Sequence, residues 1–330
     1  MSYQLNPQLF SDDVKFEPIR AGFGRGLKAA GEANENVVAL CADLTESTQM
    51  HLFRDAFPKR FIEVGIAEQN LVTVASGLAR AGKIPFTSSY AAFSPGRNWE
   101  QIRTTATLNN QPVKIVGSHA GVSVGPDGAT HQMLEDIAIM RVLPNMVVVA
   151  PGDSIEAEKA TQAIAENGKP SYIRLAREKT PIFSTPEAPF EIGKAYVVKE
   201  GSDITLLGTG AMTYQLLVAA KLLDEKGINA EVVHVPTIKP LDEATILASV
   251  RKTGRVVTAE EAQIAGGFGG AVSEFLSSTL PVPIKRIGML DRFGESGAPA
   301  ELFDYFGLTG EKMAPSIEEF MNQMPQYHRN

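Results

Sequence analysis

The sequence predicts an α/β protein of two doubly wound domains, each built on a mostly parallel sheet. Three observations predict it. Short runs rich in β-branched residues alternate with helix-period segments along nearly the whole chain, and the runs lack polar interruptions, as parallel strands covered on both faces require. The stretch TPIFSTPEAPFEIG at 180–193 carries Pro181, Pro186 and Pro189, which make a poor helix or central strand and a good linker. Beyond it the alternation resumes at smaller scale.

In order, a polar leader covers residues 1–15, a first domain 16–182, the linker proper 183–193, and a second domain 194–330. Arg20 to Ala33 reads as a helix. Strands are expected at 37–41, 61–64, 84–87, 113–117, 146–149 and 172–175, with helices around 67–80, 98–109, 131–142 and 154–166. In the second domain strands are expected at 204–207, 231–235, 256–259 and 284–287, with helices at 214–226, near 242–252 and from about 267 to 279. Gly208-Thr-Gly210 follows a strand and opens a helix, but Thr213 stands where a dinucleotide loop needs its third glycine, and the next strand ends in His234-Val235-Pro236 without a ribose-binding acid. The Gly266-Gly-Phe-Gly-Gly270 cluster reads as a tight turn with close helix packing.

Composition narrows the function. The 330 residues, 44% hydrophobic, exclude a disordered or fibrous class, and a net charge of −7 without a basic block argues against nucleic acid. The lone Cys41 lies among apolar neighbours and reads as a packed thiol in a reducing compartment. The first fifteen residues lack a signal pattern and no apolar run is long enough to span a bilayer, so the expectation is a cytoplasmic protein with no membrane partner.

The stretch Phe61-Ile-Glu-Val-Gly-Ile-Ala-Glu-Gln-Asn70 puts Glu68 at a strand-to-helix junction flanked by Ile66 and Ala67. An acid there is either solvated and favoured by the helix dipole, or held in a poorly solvated cleft where it can share a proton. Other strand ends weigh toward the second. Ligands of open parallel sheets bind beyond the carboxyl ends of the strands, and those ends lead to Asp43, Glu68, Tyr90 with Phe93, His119 and Arg177. The glycine-rich loop His119 to His131 adds Asp127 and His131. Spacings of eight and four residues with no fourth ligand nearby favour acid–base chemistry and hydroxyl recognition over a metal site. A helix beginning at Thr130 would hold His131 at its positive end and favour the neutral ring.

The strings ADLTES (42–47), GIAEQN (65–70), SSYAAFSPGRNWEQIR (88–103), SHAGVSVGPDGATHQ (118–132), LPNMVVVAP (143–151) and VPTIKPLD (235–242) resemble the transketolase family of thiamine-diphosphate enzymes, from residue 18 to about 310. The likeness covers only that family's pyrimidine-binding and carboxyl-terminal domains. No Gly-Asp-Gly, the family's Mg²⁺ and diphosphate motif, occurs in the chain. The resemblance therefore implies the second subunit of a transketolase split over two polypeptides, binding the pyrimidine half of the cofactor. An amino-terminal partner subunit would carry Gly-Asp-Gly and hold Mg²⁺, with self-dimerisation inside an α2β2 heterotetramer.

By that resemblance Glu68 bonds N1′ of the aminopyrimidine and favours its 4′-imino tautomer, which takes the thiazolium C2 proton. Tyr90 and Phe93 line the pyrimidine pocket, with Gly96 in place of a further aromatic, and Asp43 lies near the thiazolium. His119 and Asp127 match groups that bond sugar hydroxyls, His131 one that assists proton transfer, and Arg20, Ser47 and Arg177 the cluster on the distal phosphate. The implied reaction moves a glycolaldehyde unit from a ketose phosphate to an aldose phosphate through a cofactor enamine. The rivals are a deoxyxylulose-phosphate synthase, a 2-oxoacid dehydrogenase β subunit, and a catalytically silent scaffold; His119 and NWEQIR favour transketolase over the first two.

Overall fold

In the computed structural model, which describes residues 3–324, the strands in chain order are β1 (Phe16–Pro18), β2 (Val37–Cys41), β3 (Phe61–Glu63), β4 (Ile84–Tyr90), β5 (Lys114–Ser118), β6 (Val147–Val149), β7 (Ser171–Arg174), β8 (Lys179–Pro181), β9 (Tyr196–Lys199), β10 (Ile204–Gly208), β11 (Ala230–His234), β12 (Thr237–Lys239), β13 (Val256–Gln263) and β14 (Ile284–Met289). The larger sheet has the order β12-β6-β7-β5-β4-β2-β3, parallel except where β12 meets β6. The smaller has the order β14-β13-β10-β11-β9, parallel except for β9. Residues of β2, β5, β10 and β11 are buried throughout, so apolar side chains fall on both faces of these strands, with Lys114 of β5 and Glu231 and His234 of β11 as buried polar exceptions.

Helices flank both sheets. Ile19–Ala33 lies against Ser154–Glu166 at close range, because Gly22 and Gly26 face the second helix where a Cβ would meet the Ser154 or Glu158 carbonyl. Asp153 caps the second helix through the Glu156 N–H at 3.0 Å, and its other oxygen takes the Ser184 N–H at 2.7 Å, pinning the proline-bearing stretch.

Several elements differ from the sequence reading. Part of the stretch at 180–193 forms β8, which pairs with β1 in a short antiparallel ribbon, and Leu9 of the leader is buried. β12, beyond the linker in sequence, joins the first sheet beside β6, so the halves interlock. The helix expected over 98–109 is one α-turn, Trp99–Gln101, continued by wider i→i+5 turns over Ile102–Thr107. The helix expected over 131–142 begins only at Asp136 and ends at Arg141. Residues 128–132 form a turn instead, with the N–H groups of His131 and Gln132 both donating to the Gly128 carbonyl. No helix among the described residues is long and apolar enough to cross a membrane.

Candidate functional site

Strands β2 to β7 of the larger sheet run in one direction, so their carboxyl ends share an edge. After β3, Gly65 turns the chain at φ +69° and the helix Glu68–Arg80 begins. Glu68 is only 5% exposed although it opens that helix, while Ile66 beside it is 74% exposed. The solvated first-turn acid is thereby excluded. The Asn98 amide donates to the Glu68 carbonyl at 2.8 Å and fixes the first turn. The Glu68 carboxylate faces Arg97, with Nη1 3.4 and 3.5 Å from the two oxygens, and the Arg97 guanidinium lies 4.2 Å over the Phe93 ring.

Tyr90 ends β4, and the chain folds back so that the Phe93 and Tyr90 rings stack with centroids 6.0 Å apart. The His119 ring, just past β5, stacks on Tyr90 at 3.8 Å. Its Nε2 lies 3.3 Å from Arg20 Nη1, and a guanidinium can only donate, so Nε2 accepts; Nδ1–H then donates to Ser118 Oγ at 2.9 Å. Burial pushes the His119 pKa down to about 3, with Arg20, Arg177 and His131 adding to the effect. The ring is neutral at ordinary pH. Ser47 closes the group: its Oγ shares a 2.6 Å hydrogen bond with the Tyr90 hydroxyl, and its carbonyl accepts from Arg20 at 2.5 Å.

Arg20 and Arg177 form an electropositive corner. Burial and then Arg177 hold the Arg20 pKa below its usual value, and the buried Arg20 Nε has no hydrogen-bond partner among the described residues, leaving a donor unspent. Arg177 donates from Nη1 to the Val124 carbonyl at 2.5 Å and lies 3.6 Å from Glu178. His131 presents its ring edge-on to Phe93 at 5.4 Å and to Tyr90 at 6.3 Å, with Nδ1 2.9 Å from Thr130 Oγ1. Since the next helix starts at Asp136, no helix terminus acts on His131, contrary to the sequence reading.

Thus Arg20, Ser47, Tyr90, Phe93, His119 and His131 converge, and Glu68 joins them through Arg97. Asp43 and Asp127 are exposed, and their carboxylates take no hydrogen bond or ion pair from the described residues; the Asp43 N–H donates to Glu63 at 2.8 Å. Sequence reasoning missed Arg97 and Ser118. Arg97 carried a signal, since an arginine four residues after an aromatic meets it on one helical turn, and the Arg97 N–H does donate to the Phe93 carbonyl. Among the described residues no group of three or more His, Cys, Asp or Glu is placed to hold a metal ion. A buried carboxyl beside stacked rings suits a flat nitrogen heterocycle that bonds through one edge.

A family model for the transketolase pyrimidine-binding domain matches residues 18–182, and one for the transketolase C-terminal domain matches residues 193–313. A putative transketolase C-terminal section from Methanocaldococcus jannaschii is 46% identical over 311 residues, covering 93% of this chain and 98% of that protein. The 6-deoxy-6-sulfo-D-fructose transketolase subunit SqwH of Clostridium sp. strain MSTE9 is 41% identical, covering 87% and 89%. A solved structure described as a split gene transketolase, inactive beta4 tetramer, matches with a TM-score of 0.87 at 42% identity, covering 93% of this chain and 99% of that one.

Proposed function

The chain belongs to the transketolase family, which is thiamine-diphosphate dependent, and from that premise we propose that it is the carboxyl-terminal subunit of a two-chain transketolase. It acts with a separate amino-terminal subunit that carries Gly-Asp-Gly and holds the diphosphate and Mg²⁺. The complex moves a glycolaldehyde unit from a ketose phosphate to an aldose phosphate. The observation that carries this reading is Glu68, buried at the strand-to-helix junction and linked through Arg97 to the Tyr90–Phe93 stack.

Glu68 holds the aminopyrimidine edge and shares a proton with it, a task that needs an ionisable carboxyl group. Phe93 and Tyr90 wall the ring and exclude water. When bound, the cofactor supplies the nucleophilic carbon that the protein lacks. His119, neutral and held by Ser118 on Nδ1, is a poor base; its Nε2, which faces Arg20, is the atom that accepts from a sugar hydroxyl once Arg20 turns to the anionic group. His131, less enclosed, relays protons. Arg20, Ser47 and Arg177 take the distal anionic group, while Asp43 serves the cofactor and Asp127 a sugar hydroxyl, both carboxylates being exposed.

The split-gene relative supports the need for a partner, since the tetramer formed by that chain is described as inactive. The test is to purify the chain with and without a companion carrying Gly-Asp-Gly, and to assay xylulose 5-phosphate plus ribose 5-phosphate against pyruvate plus glyceraldehyde 3-phosphate. Turnover of the first pair, by the complex and not by the isolated chain, is expected. Full turnover by the isolated chain, or turnover of the second pair only, overturns the proposal.

A further inference from the structure

The loop between His119 and His131 is moulded against the second half of the chain. The Glu261 side chain, projecting from β13, accepts the Ser123 N–H at 2.6 Å, and both groups are buried. Gly121 turns there at φ +89°, and a Cβ would strike the Glu261 carboxylate. The Gln132 side-chain amide ties the other end of the loop down: Nε2 donates to the Val122 carbonyl at 3.0 Å and to the Glu295 carbonyl at 2.9 Å. Gly128 passes so near Ser296 that a side chain there would meet its hydroxyl.

One residue beyond the anchored Ser123, the Val124 carbonyl accepts from Arg177. We propose that Glu261 is a positioning residue through which the carboxyl-terminal domain sets the 121–128 loop and, through Val124, aims Arg177 at the anionic end of the substrate. The inference rests on the functional reading above for the role of Arg177, but not for the state of the loop. Burial raises the Glu261 pKa, and Arg174 and the Ser123 hydrogen bond oppose it. Arg174 is independently anchored, with Nε 2.8 Å from Asp136 and Nη2 donating to the Glu261 carbonyl at 2.7 Å. Side-chain substitution at 261 therefore leaves that pair in place.

Three variants separate hydrogen bonding from charge. Glu261→Gln keeps an oxygen acceptor at the same reach, Glu261→Ala removes it, and Glu261→Asp keeps the charge but withdraws the acceptor by one methylene. Amide hydrogen exchange over 121–128 in the isolated chain is expected to quicken roughly tenfold to a hundredfold in the Ala and Asp variants and to stay near wild type in the Gln variant. In the partner complex, affinity for ribose 5-phosphate should fall about tenfold in Ala and Asp, with little change for ribose and recovery in Gln. An unchanged loop in Glu261→Asp, or a Gln variant as loose as Asp, overturns the inference even if Glu261→Ala does not fold. The exchange readout needs neither partner nor turnover, so a failure of the proposed activity leaves this result standing.

Discussion

Glu68→Gln isolates the proton from the shape of the site. The substitution changes one oxygen to an amide nitrogen, so packing is nearly constant. The Asn98 hydrogen bond runs to the Glu68 backbone carbonyl and survives. The carboxylate's ion-pair partner, Arg97, is over half exposed and 3.4 Å away, so losing that pair costs about 0–1 kcal/mol after solvent screening. Catalysis should suffer far more, because loss of a positioned proton donor and acceptor costs about 10²–10⁴-fold, or ~3–5 kcal/mol in the barrier. The assay is kcat of the partner complex at saturating cofactor beside the thermal melt of the isolated chain. A rate within about threefold of wild type, or a loss of rate that tracks loss of folded protein, would refute the reasoning.

Arg177→Ala should raise KM for phosphorylated sugars about tenfold and leave unphosphorylated ones nearly unchanged, since a charge-assisted contact is worth about 1.5–3 kcal/mol; steady-state kinetics on paired substrates decides it, and equal effects reject the anion role. His119 is neutral in the fold with its pKa pushed down to about 3, so the unfolded chain takes up the proton first as pH falls below about 6.5. Its contribution is full above that pH and is lost between about 6.5 and 3, on the order of a few kcal/mol, so His119→Asn should flatten the acid side of a denaturant-midpoint profile; an unchanged profile counts against it. Arg174→Leu should strip Asp136 of its guanidinium and cost about 3–5 kcal/mol in chemical denaturation, because the pair at 2.8 Å is buried on both sides; a loss below about 1 kcal/mol would show that Tyr172 alone, donating to Asp136 at 2.7 Å, suffices.

The central strands were legible because burial on both faces removes polar alternation, and Val37–Cys41 and Ser154–Glu166 fall where their patterns put them. The short strands were not. β1 and β8 each end in proline and have three residues, too few for any period to show, and β12 gains its place only by meeting β6 from across the linker. The helix after the glycine loop starts late because Gln132 hooks Val122 and Glu295, a tertiary contact that overrides local periodicity. The strand-end rule picked out Glu68, Tyr90 and His119, which the fold does bring to one edge of the sheet, but it cannot see contacts made by side chains of turns, which is how Arg97 escaped.

Local rules fail most where the site is made. Asp43 and His119, each just beyond a strand of the larger sheet, both sit at φ +58°, a region that non-glycine residues rarely enter. Such a conformation costs of order 1–3 kcal/mol and persists only where the surroundings over-determine it. For His119 those surroundings are visible: the Tyr90 ring at 3.8 Å, Ser118 on Nδ1 and Arg20 on Nε2. Glycine would relieve the backbone there, so the turn by itself does not call for an imidazole. A side chain held in an unfavourable conformation by three neighbours has one orientation, the property that the hydroxyl-binding role proposed for His119 requires.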